Sequence, residues 1–254
     1  MILCLDVGNT NIVVGCYEGQ KQLFQSRLFT NTSLTSDQYA VQLEGILRLN
    51  GADISAFDGA AISSVVPPLT TALSAAIEQV IGVVPMAIVS DTKTGLDVKL
   101  DKPDELASDL KATAVAALVK YQLPCVIIDM GTATTMTVLD KDGSFLGGAI
   151  IPGLRVSLES LVSRTSLLVG IALDSPNHTI GRNTIDSMKS GTVIASAAML
   201  DGMCSRMAQE LGQTPSVVAT GGLAKTVVPH CKTDIILDEN LLMDGILLIY
   251  GMNK

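Results

Sequence analysis

The chain has 254 residues, of which 48% are hydrophobic and 17% are charged, and its formal net charge is −8. This composition provides a large aliphatic core and excludes an intrinsically disordered chain. The acidic excess disfavours nucleic acid and anionic membranes as partners, and the length suits one large domain or two of about 125 residues.

The beginning of the chain predicts a meander of three strands. Residues 2–5 form an apolar run that ends in Asp6, Gly8 follows, and a second apolar run starts at Ile12. Short β-branched or Leu-rich runs bounded by turn residues favour buried strands over helices. A third strand is predicted at residues 22–29, after a Glu-Gly turn.

From residue 36 the pattern predicts alternating helices and strands. Helices are expected at residues 36–50 and 69–81, and strands at 59–66 and 86–89. The order β-β-β-α-β-α-β indicates a mixed sheet with helices packed on it. A further helix, predicted at residues 104–121, leads into the second half.

The second half repeats this organisation, because Asp129 follows Asp6 by 123 positions in an equivalent pattern. Strands are predicted at residues 125–129, 134–139, 144–151, 216–219 and 235–237, and helices at 154–163, 187–211 and 241–250. An internal duplication favours two domains. We expect an α/β fold with domains at residues 1–118 and 119–254, each a mixed sheet with flanking helices.

Both copies carry small and hydroxyl residues in the turn after the aspartate. Gly8 and Gly131 allow close approach to the backbone, and the short polar side chains beside them can donate hydrogen bonds. Such a turn can hold phosphate oxygens, while the aspartate holds a cation that neutralises them. One copy alone would favour an ordinary hairpin, but two copies favour a phosphate site. The pair Gly221 and Gly222 fits either a tight turn or a surface on which a nucleoside lies.

The cysteines and the first residues indicate the compartment. The five cysteines are widely spaced and form no Cys-x-x-Cys pair, which favours core side chains in a reducing environment. No basic segment precedes the first apolar run, and no stretch of 18 uninterrupted apolar residues occurs. We therefore expect a soluble, cytoplasmic protein without a membrane span.

Several motifs in their order along the chain resemble one family. They are Asp6-Val7-Gly8-Asn9-Thr10-Asn11, Asp129-Met130-Gly131-Thr132-Ala133-Thr134-Thr135, Gly181-Arg182-Asn183-Thr184 and Thr220-Gly221-Gly222-Leu223-Ala224. As a set they are similar to the type III pantothenate kinases, of the acetate and sugar kinase, Hsp70 and actin superfamily. The resemblance runs the full length of the chain and implies two actin-like, ribonuclease H-like domains.

The resemblance implies ATP-dependent phosphorylation of pantothenate to 4'-phosphopantothenate, the first step of coenzyme A biosynthesis. It implies ATP, magnesium, and potassium or ammonium as cofactors, and a homodimer with the site at its interface. Asp6 would bind magnesium and Asp129 the monovalent cation. The nucleotide contacts would be Asp6, Gly8, Asn9, Thr10, Asn11, Gly131, Thr132, Ala133, Thr134 and Gly221.

The resemblance also places the acceptor site. The family has a Gly-x-Asp-Arg motif that here reads Ala107-Ser108-Asp109-Leu110, so Asp109 is the expected general base. Its pattern alone would fit a solvated helix carboxylate. The family arginine is Leu110, the glycine is Ala107, and an upstream tyrosine is Leu100. Leu100, Ala107, Ser108, Leu110 and a partner's Thr184 are the expected substrate contacts.

These departures leave two alternatives open. One is a diverged or non-catalytic homologue, in the manner of Bvg accessory factor proteins, that binds nucleotide or a partner. The other is a kinase for a different small hydroxy compound.

Overall fold

A computed structural model describes residues 1–254, and the chain forms two compact units. The first comprises Met1–Leu96, Asp101–Ala116 and Leu241–Lys254, and the second comprises Asp97–Leu100 and Ala117–Asn240. These units differ from the predicted ranges 1–118 and 119–254 chiefly at the end of the chain. The closing helix returns to the first unit because its apolar residues, among them Met243, Ile246 and Ile249, share a buried cluster with Cys4.

The strands agree closely with those predicted from the sequence. They are β1 (Ile2–Val7), β2 (Asn11–Glu18), β3 (Lys21–Phe29), β4 (Gly59–Ser64), β5 (Met86–Ala87), β6 (Cys125–Met130), β7 (Ala133–Leu139), β8 (Phe145–Pro152), β9 (Ser216–Thr220) and β10 (Ile236–Leu237). The first sheet has the order β3-β2-β1-β4-β5 and the second β8-β7-β6-β9-β10. In each sheet the first three strands are antiparallel and the last two run parallel to the first. The identical order confirms the duplicated mixed-sheet fold.

The helices are α1 (Ser36–Leu49), α2 (Pro67–Ile81), α3 (Ser108–Lys120), α4 (Leu154–Ser163), α5 (Thr184–Leu211), α6 (Ala224–Val227) and α7 (Leu241–Asn253). A capping box of Thr35 and Gln38 starts α1, and Gly82, in the left-handed conformation, ends α2. None of these helices combines the length and apolar composition that a membrane span requires.

The helix predicted at residues 104–121 is interrupted at its start. Pro103–Glu105 forms a single 3₁₀ turn, and Leu106 is extended with φ −65° and ψ 114°. Helix α3 therefore begins only at Ser108. The sequence did not predict this break, because a proline followed by acidic residues is also typical of the first turn of a helix. The later start of α3 places Asp109 in its first turn.

Each sheet has its own apolar core. In the first unit α1 and α2 cover one face, with Leu5, Leu43 and Ile77 fully buried between them. In the second unit α4 and α5 cover one face, where Ile128 and Leu200 are buried. All five cysteines are free and four are buried, as the sequence predicts for core side chains.

Candidate active site

The two repeated aspartates occupy equivalent positions in the two sheets. Asp6 is the penultimate residue of β1 and is aligned with Ser63 on the parallel strand β4. Asp129 is the penultimate residue of β6 and is aligned with Thr220 on β9. Each unit thus places a carboxylate beside a hydroxyl side chain at the carboxyl edge of its parallel strands, the edge where α/β sheets bind ligands.

The turn after Asp6 is fixed by hydrogen bonds to the end of β3. The Gly8 amide donates to the Asn11 carbonyl over 3.0 Å, while Thr30 donates its amide to the Thr10 carbonyl (3.0 Å) and its hydroxyl to the Gly8 carbonyl (2.7 Å). Asn9 remains exposed at the tip. A rigid turn with an exposed polar tip can offer fixed donors to an anion.

The turn after Asp129 is shorter and is supported from two sides. The Gly131 amide donates to the Ala133 carbonyl over 3.0 Å, and the Gly153 amide donates to the Thr132 carbonyl over 3.1 Å. A Cβ on Gly153 would lie 2.3 Å from that carbonyl oxygen, so only glycine allows this approach. Gly131 and Thr132 themselves are exposed, which leaves this turn open to a ligand.

Gly8 and Gly131 are not the glycines that these turns require. Neither has a positive φ, and a Cβ would lie no closer than 3.2 Å from a neighbour at Gly8 and 3.6 Å at Gly131. The strict requirement lies at Gly221, where φ is +94° and a Cβ would lie 2.6 Å from Oδ1 of Asp129. A Cβ on Gly222, in contrast, would face open space. Of this pair, Gly221 supports Asp129 and Gly222 lies at the open surface.

Helix α3 is anchored at the carboxyl edge of the first sheet by Ser108. The hydroxyl of this buried serine accepts from the Ser64 amide (3.0 Å) and the Ser63 hydroxyl (3.1 Å), and it donates to the Ser64 carbonyl (3.2 Å). Since Ser63 is aligned with Asp6, this anchor brings the first turn of α3 to the edge that carries Asp6. Two predicted site segments of the first unit, around Asp6 and Asp109, therefore meet at one edge.

Asp109 is a partly buried carboxylate in the first turn of α3. Burial raises the pKa of this carboxyl, and hydrogen bonds from backbone amides, first of all that of Leu110, partly oppose the rise. The Leu110 amide donates to Oδ1 over 2.8 Å. The pattern of a solvated helix carboxylate, which the sequence also allowed, does not describe this environment. A carboxylate with a raised pKa suits proton abstraction from an alcohol.

Neither of the two residues after Asp109 takes the place of the arginine that the resemblance leads one to expect. Leu110 is aliphatic, and Lys111 is buried with its ammonium directed to the carbonyls of Val89 (2.8 Å) and Ser90 (3.2 Å). The hydroxyl of Ser108, a predicted substrate contact, is engaged by β4. Ala107 accepts the first intrahelical hydrogen bond, from the Lys111 amide over 3.0 Å.

Leu100 and Thr184 belong to the second unit. Leu100 lies two residues after Val98, which forms an isolated parallel β-bridge with Phe145. A Cβ atom on Gly147 would lie 3.1 Å from Cδ2 of Leu100. Thr184 is the first residue of α5, directly after Asn183, whose side chain accepts from the Asp186 amide over 2.9 Å.

A pocket that the sequence did not predict lies in the second unit. Its volume is about 860 Å³, and α4, α5 and residues 181–184 line it. Thr134 lies at this pocket with its hydroxyl buried and without a hydrogen-bond partner. Apolar residues close in sequence to this pocket, including Ile150, Leu167 and Ile180, are exposed. The sequence shows that they are apolar, but only the structure shows that they are exposed.

The carboxylates fit a magnesium ion that is held partly by phosphate. Among residues 1–254, no three His, Cys, Asp or Glu side chains cluster so that they could hold a metal ion by themselves. Magnesium commonly binds through one or two carboxylates and completes its coordination with water and substrate phosphates. One aspartate near the end of a strand, beside an exposed turn, provides such a carboxylate in each unit.

The overall structure resembles those of two solved proteins at low sequence identity. One is a Campylobacter jejuni protein described as a Baf family transcriptional activator, with a TM-score of 0.61, 16% identity, and coverage of 99% of this chain and 98% of that one. The other is component A of (R)-2-hydroxyglutaryl-CoA dehydratase from Acidaminococcus fermentans, with a TM-score of 0.56, 15% identity, and coverage of 98% and 96%. At these identities the likeness shows the fold alone.

The duplicated five-stranded sheets, each with an aspartate turn in the same register, define a protein of the actin-like fold class. The sequence model described as type III pantothenate kinase matches residues 2–206. Proteins named type III pantothenate kinase from Exiguobacterium sibiricum (41% identical, covering 100% of both chains) and Myxococcus xanthus (40%, covering 100% of this chain and 99% of that one) are similar over the whole length. The chain belongs to the type III pantothenate kinase family.

Proposed function

We propose that this protein transfers the γ-phosphate of ATP to the terminal hydroxyl of pantothenate. The observation that carries the proposal is the full-length match to pantothenate kinases together with two Asp turns in the same register of two duplicated sheets. Phosphoryl transfer requires alignment of the hydroxyl with the phosphate and neutralisation of charge, rather than covalent catalysis. Rigid turns at strand ends are suited to both tasks.

The Asp6 turn is assigned to the triphosphate and its magnesium ion. The carboxylate of Asp6 would hold the metal, and Gly8, Asn9, Thr10 and Asn11 would contact phosphate oxygens. Magnesium, when bound, supplies positive charge that neutralises the transferring phosphoryl group. The bracing of this turn by Thr30 supports the assignment, because fixed donors need no rearrangement when charge develops.

The Asp129 turn is assigned to phosphate oxygens of ATP and to a potassium or ammonium ion. Gly131, Thr132, Ala133 and Thr134 would line the phosphate, and Asp129 would hold the monovalent cation. The support is the exposure of the turn and its firm packing against Gly153 and Gly221. Gly221, the nucleotide contact that the resemblance implies, would also hold Asp129 in place.

Asp109 is assigned as the general base. Its carboxylate, in the first turn of α3, would accept the proton of the acceptor hydroxyl as the oxygen attacks the γ-phosphate. The raised pKa supports this role, because a stronger base takes the proton more readily.

The acceptor contacts are assigned to residues 107–110 of the first unit, and separately to Leu100 of the second unit and Thr184 of a second copy. Leu100 and Leu110 are each more apolar than the tyrosine and the arginine that the family resemblance places at these positions. Recognition of the substrate carboxylate by a bidentate cation is therefore absent at residue 110. We expect pantothenate to bind more weakly than in relatives that keep the arginine.

A homodimer is assigned from the apolar surface of the second unit. Leu167, Ile180 and Ile150 are 89%, 82% and 79% exposed, close in sequence to the elements that line the large pocket. Exposed apolar residues concentrated in one region favour a protein interface.

Five free cysteines also agree with a reducing, cytoplasmic setting.

The proposed function is tested by a coupled assay of ADP release with pantothenate, ATP, magnesium and potassium. We expect pantothenate-dependent turnover that Asp109→Asn lowers by about 10²–10⁴-fold. Nucleotide binding without turnover would instead identify a non-catalytic homologue, and turnover only with another alcohol would identify a kinase of different specificity. Either result contradicts the proposal.

A further inference from the structure

Lys111 is a buried lysine whose ammonium is bound by backbone carbonyls of a neighbouring segment. The residue is 5% exposed, and Nζ donates to the carbonyls of Val89 (2.8 Å) and Ser90 (3.2 Å). These carbonyls follow the short strand β5, where the pairing with β4 has ended. Lys111 therefore satisfies acceptors that the sheet leaves without strand partners.

The segment that receives Lys111 is fixed to the first sheet. Ile88 donates its amide to the Ile62 carbonyl over 2.8 Å, and the Val89 amide donates to the Thr92 hydroxyl over 2.9 Å. Because β5 is parallel to β4 and β4 to β1, this segment leaves the same edge that carries Asp6. The ammonium thus ties α3 to a rigid part of the site edge.

Lys111 and Ser108 together form a two-point attachment of the first turn of α3. They are three residues apart, so they lie on one face of the helix. Ser108 binds the end of β4 and Lys111 binds the segment after β5. Asp109 lies between these two attachments along the chain and about 100° around the helix from Ser108.

We propose that Lys111 is a positioning residue for phosphoryl transfer, which fixes the rotation of the first turn of α3 and thereby the place of the Asp109 carboxylate. This inference rests on the proposed role of Asp109 as the general base. A side-chain atom about 5–6 Å from the helix axis moves about 1 Å when the helix rotates by about 10°. A displacement of that size can lower a rate by about 10²-fold.

The electrostatic setting of Lys111 agrees with an anchoring role. Burial lowers the pKa of the Lys111 ammonium, and the charges of Asp104 and Asp91 oppose this fall. The hydrogen bonds to two carbonyls compensate for the lost hydration of the cation. A methionine could fill the same volume but could not donate these bonds.

The test compares Lys111→Met with Lys111→Arg, which keeps a cationic donor, and with Lys21→Met, which removes an exposed lysine from β3 of the same sheet. We expect kcat of K111M to fall about tenfold or more with KM for ATP nearly unchanged, K111R to retain more activity than K111M, and K21M to match the parent chain. If K111M does not fold, Lys111→Gln replaces it; its amide is an uncharged donor on a shorter side chain, so we expect its kcat to fall below that of K21M.

A double-mutant cycle with Asp109→Asn separates positioning from general damage to the fold. We expect K111M to add no further loss in the D109N background, because its effect passes through the carboxylate. Equal kcat for K111M and K21M, while D109N lowers kcat by about 10²–10⁴-fold, would overturn the role of Lys111 alone. Wild-type turnover by D109N would instead overturn the proposed role of Asp109.

Hydrogen exchange provides a readout that does not need activity. We expect the amides of residues 111–113 to exchange faster in K111M than in K21M, with the exchange of β1 and β4 unchanged. Unchanged exchange at 111–113 would show that Lys111 does not hold the first turn of α3, and would overturn the inference whatever the kinetics.

Discussion

A Cβ atom on Gly221 would lie 2.6 Å from Oδ1 of Asp129 and equally close to the Met130 amide nitrogen. The turn after β9 is thus in direct contact with the aspartate of the second turn. The backbone of Gly221 also has a φ of +94°, which side chains rarely adopt. The glycine pair after β9 therefore contains one residue that the carboxylate site requires and one that it does not.

We predict that Gly221→Ala destabilises the protein by about 2 kcal/mol or more, because it combines backbone strain with a collision at Asp129. Activity should fall at least tenfold. Gly222→Ala is the matched control, since its added methyl faces open space. Thermal unfolding and ADP release measure both effects, and equal stability of the two variants would contradict the predicted contact.

Asp109→Asn should lower kcat by about 10²–10⁴-fold, the usual contribution of a general base. The control is Asp104→Asn, which removes an exposed carboxylate from the preceding 3₁₀ turn. Since burial raises the pKa of Asp109, kcat/KM should decline on acidification at a higher pH than an ordinary aspartate would give. A pH profile whose acidic limb is the same in D109N would assign that limb to another group.

Replacement of potassium by sodium should lower turnover if Asp129 holds the monovalent cation. Potassium is larger than sodium and needs more oxygen ligands at longer distances. An open turn beside phosphate oxygens can provide them. Rates are measured at constant ionic strength with magnesium in excess, and Asp129→Asn should lose the difference between the two salts. Equal rates in both salts with the parent chain would remove this role from Asp129.

Leu167→Lys should dissociate the proposed homodimer and lower turnover if Thr184 acts across its interface. Leu49→Lys is the matched control, because both leucines are 89% exposed and Leu49 ends α1 in the other unit. Burying a lysine in an apolar interface is unfavourable, whereas a lysine at a solvated helix end is not. Light scattering coupled to size exclusion gives the mass, and a monomeric parent chain would refute the assignment.

The sequence by itself determined the duplicated architecture, because its evidence is local and periodic. Short apolar runs and glycine turns predicted nearly every strand, and the recurrence of the Asp6 pattern at Asp129 predicted two sheets of the same order. The predicted runs ended at the two aspartates, whereas in the structure each strand extends one residue further, to Val7 and Met130. The core assignment of the cysteines was also correct.

Only the tertiary structure decided which residues support those turns. The close approach of Gly221 to Asp129, the attachment of Ser108 to β4 and the burial of Lys111 join segments that are distant in sequence. The return of α7 to the first unit is of the same kind, since its apolar residues show that it is buried but not where. Local periodicity reports the conformation of a segment, whereas contacts between segments depend on the packing that the whole chain adopts.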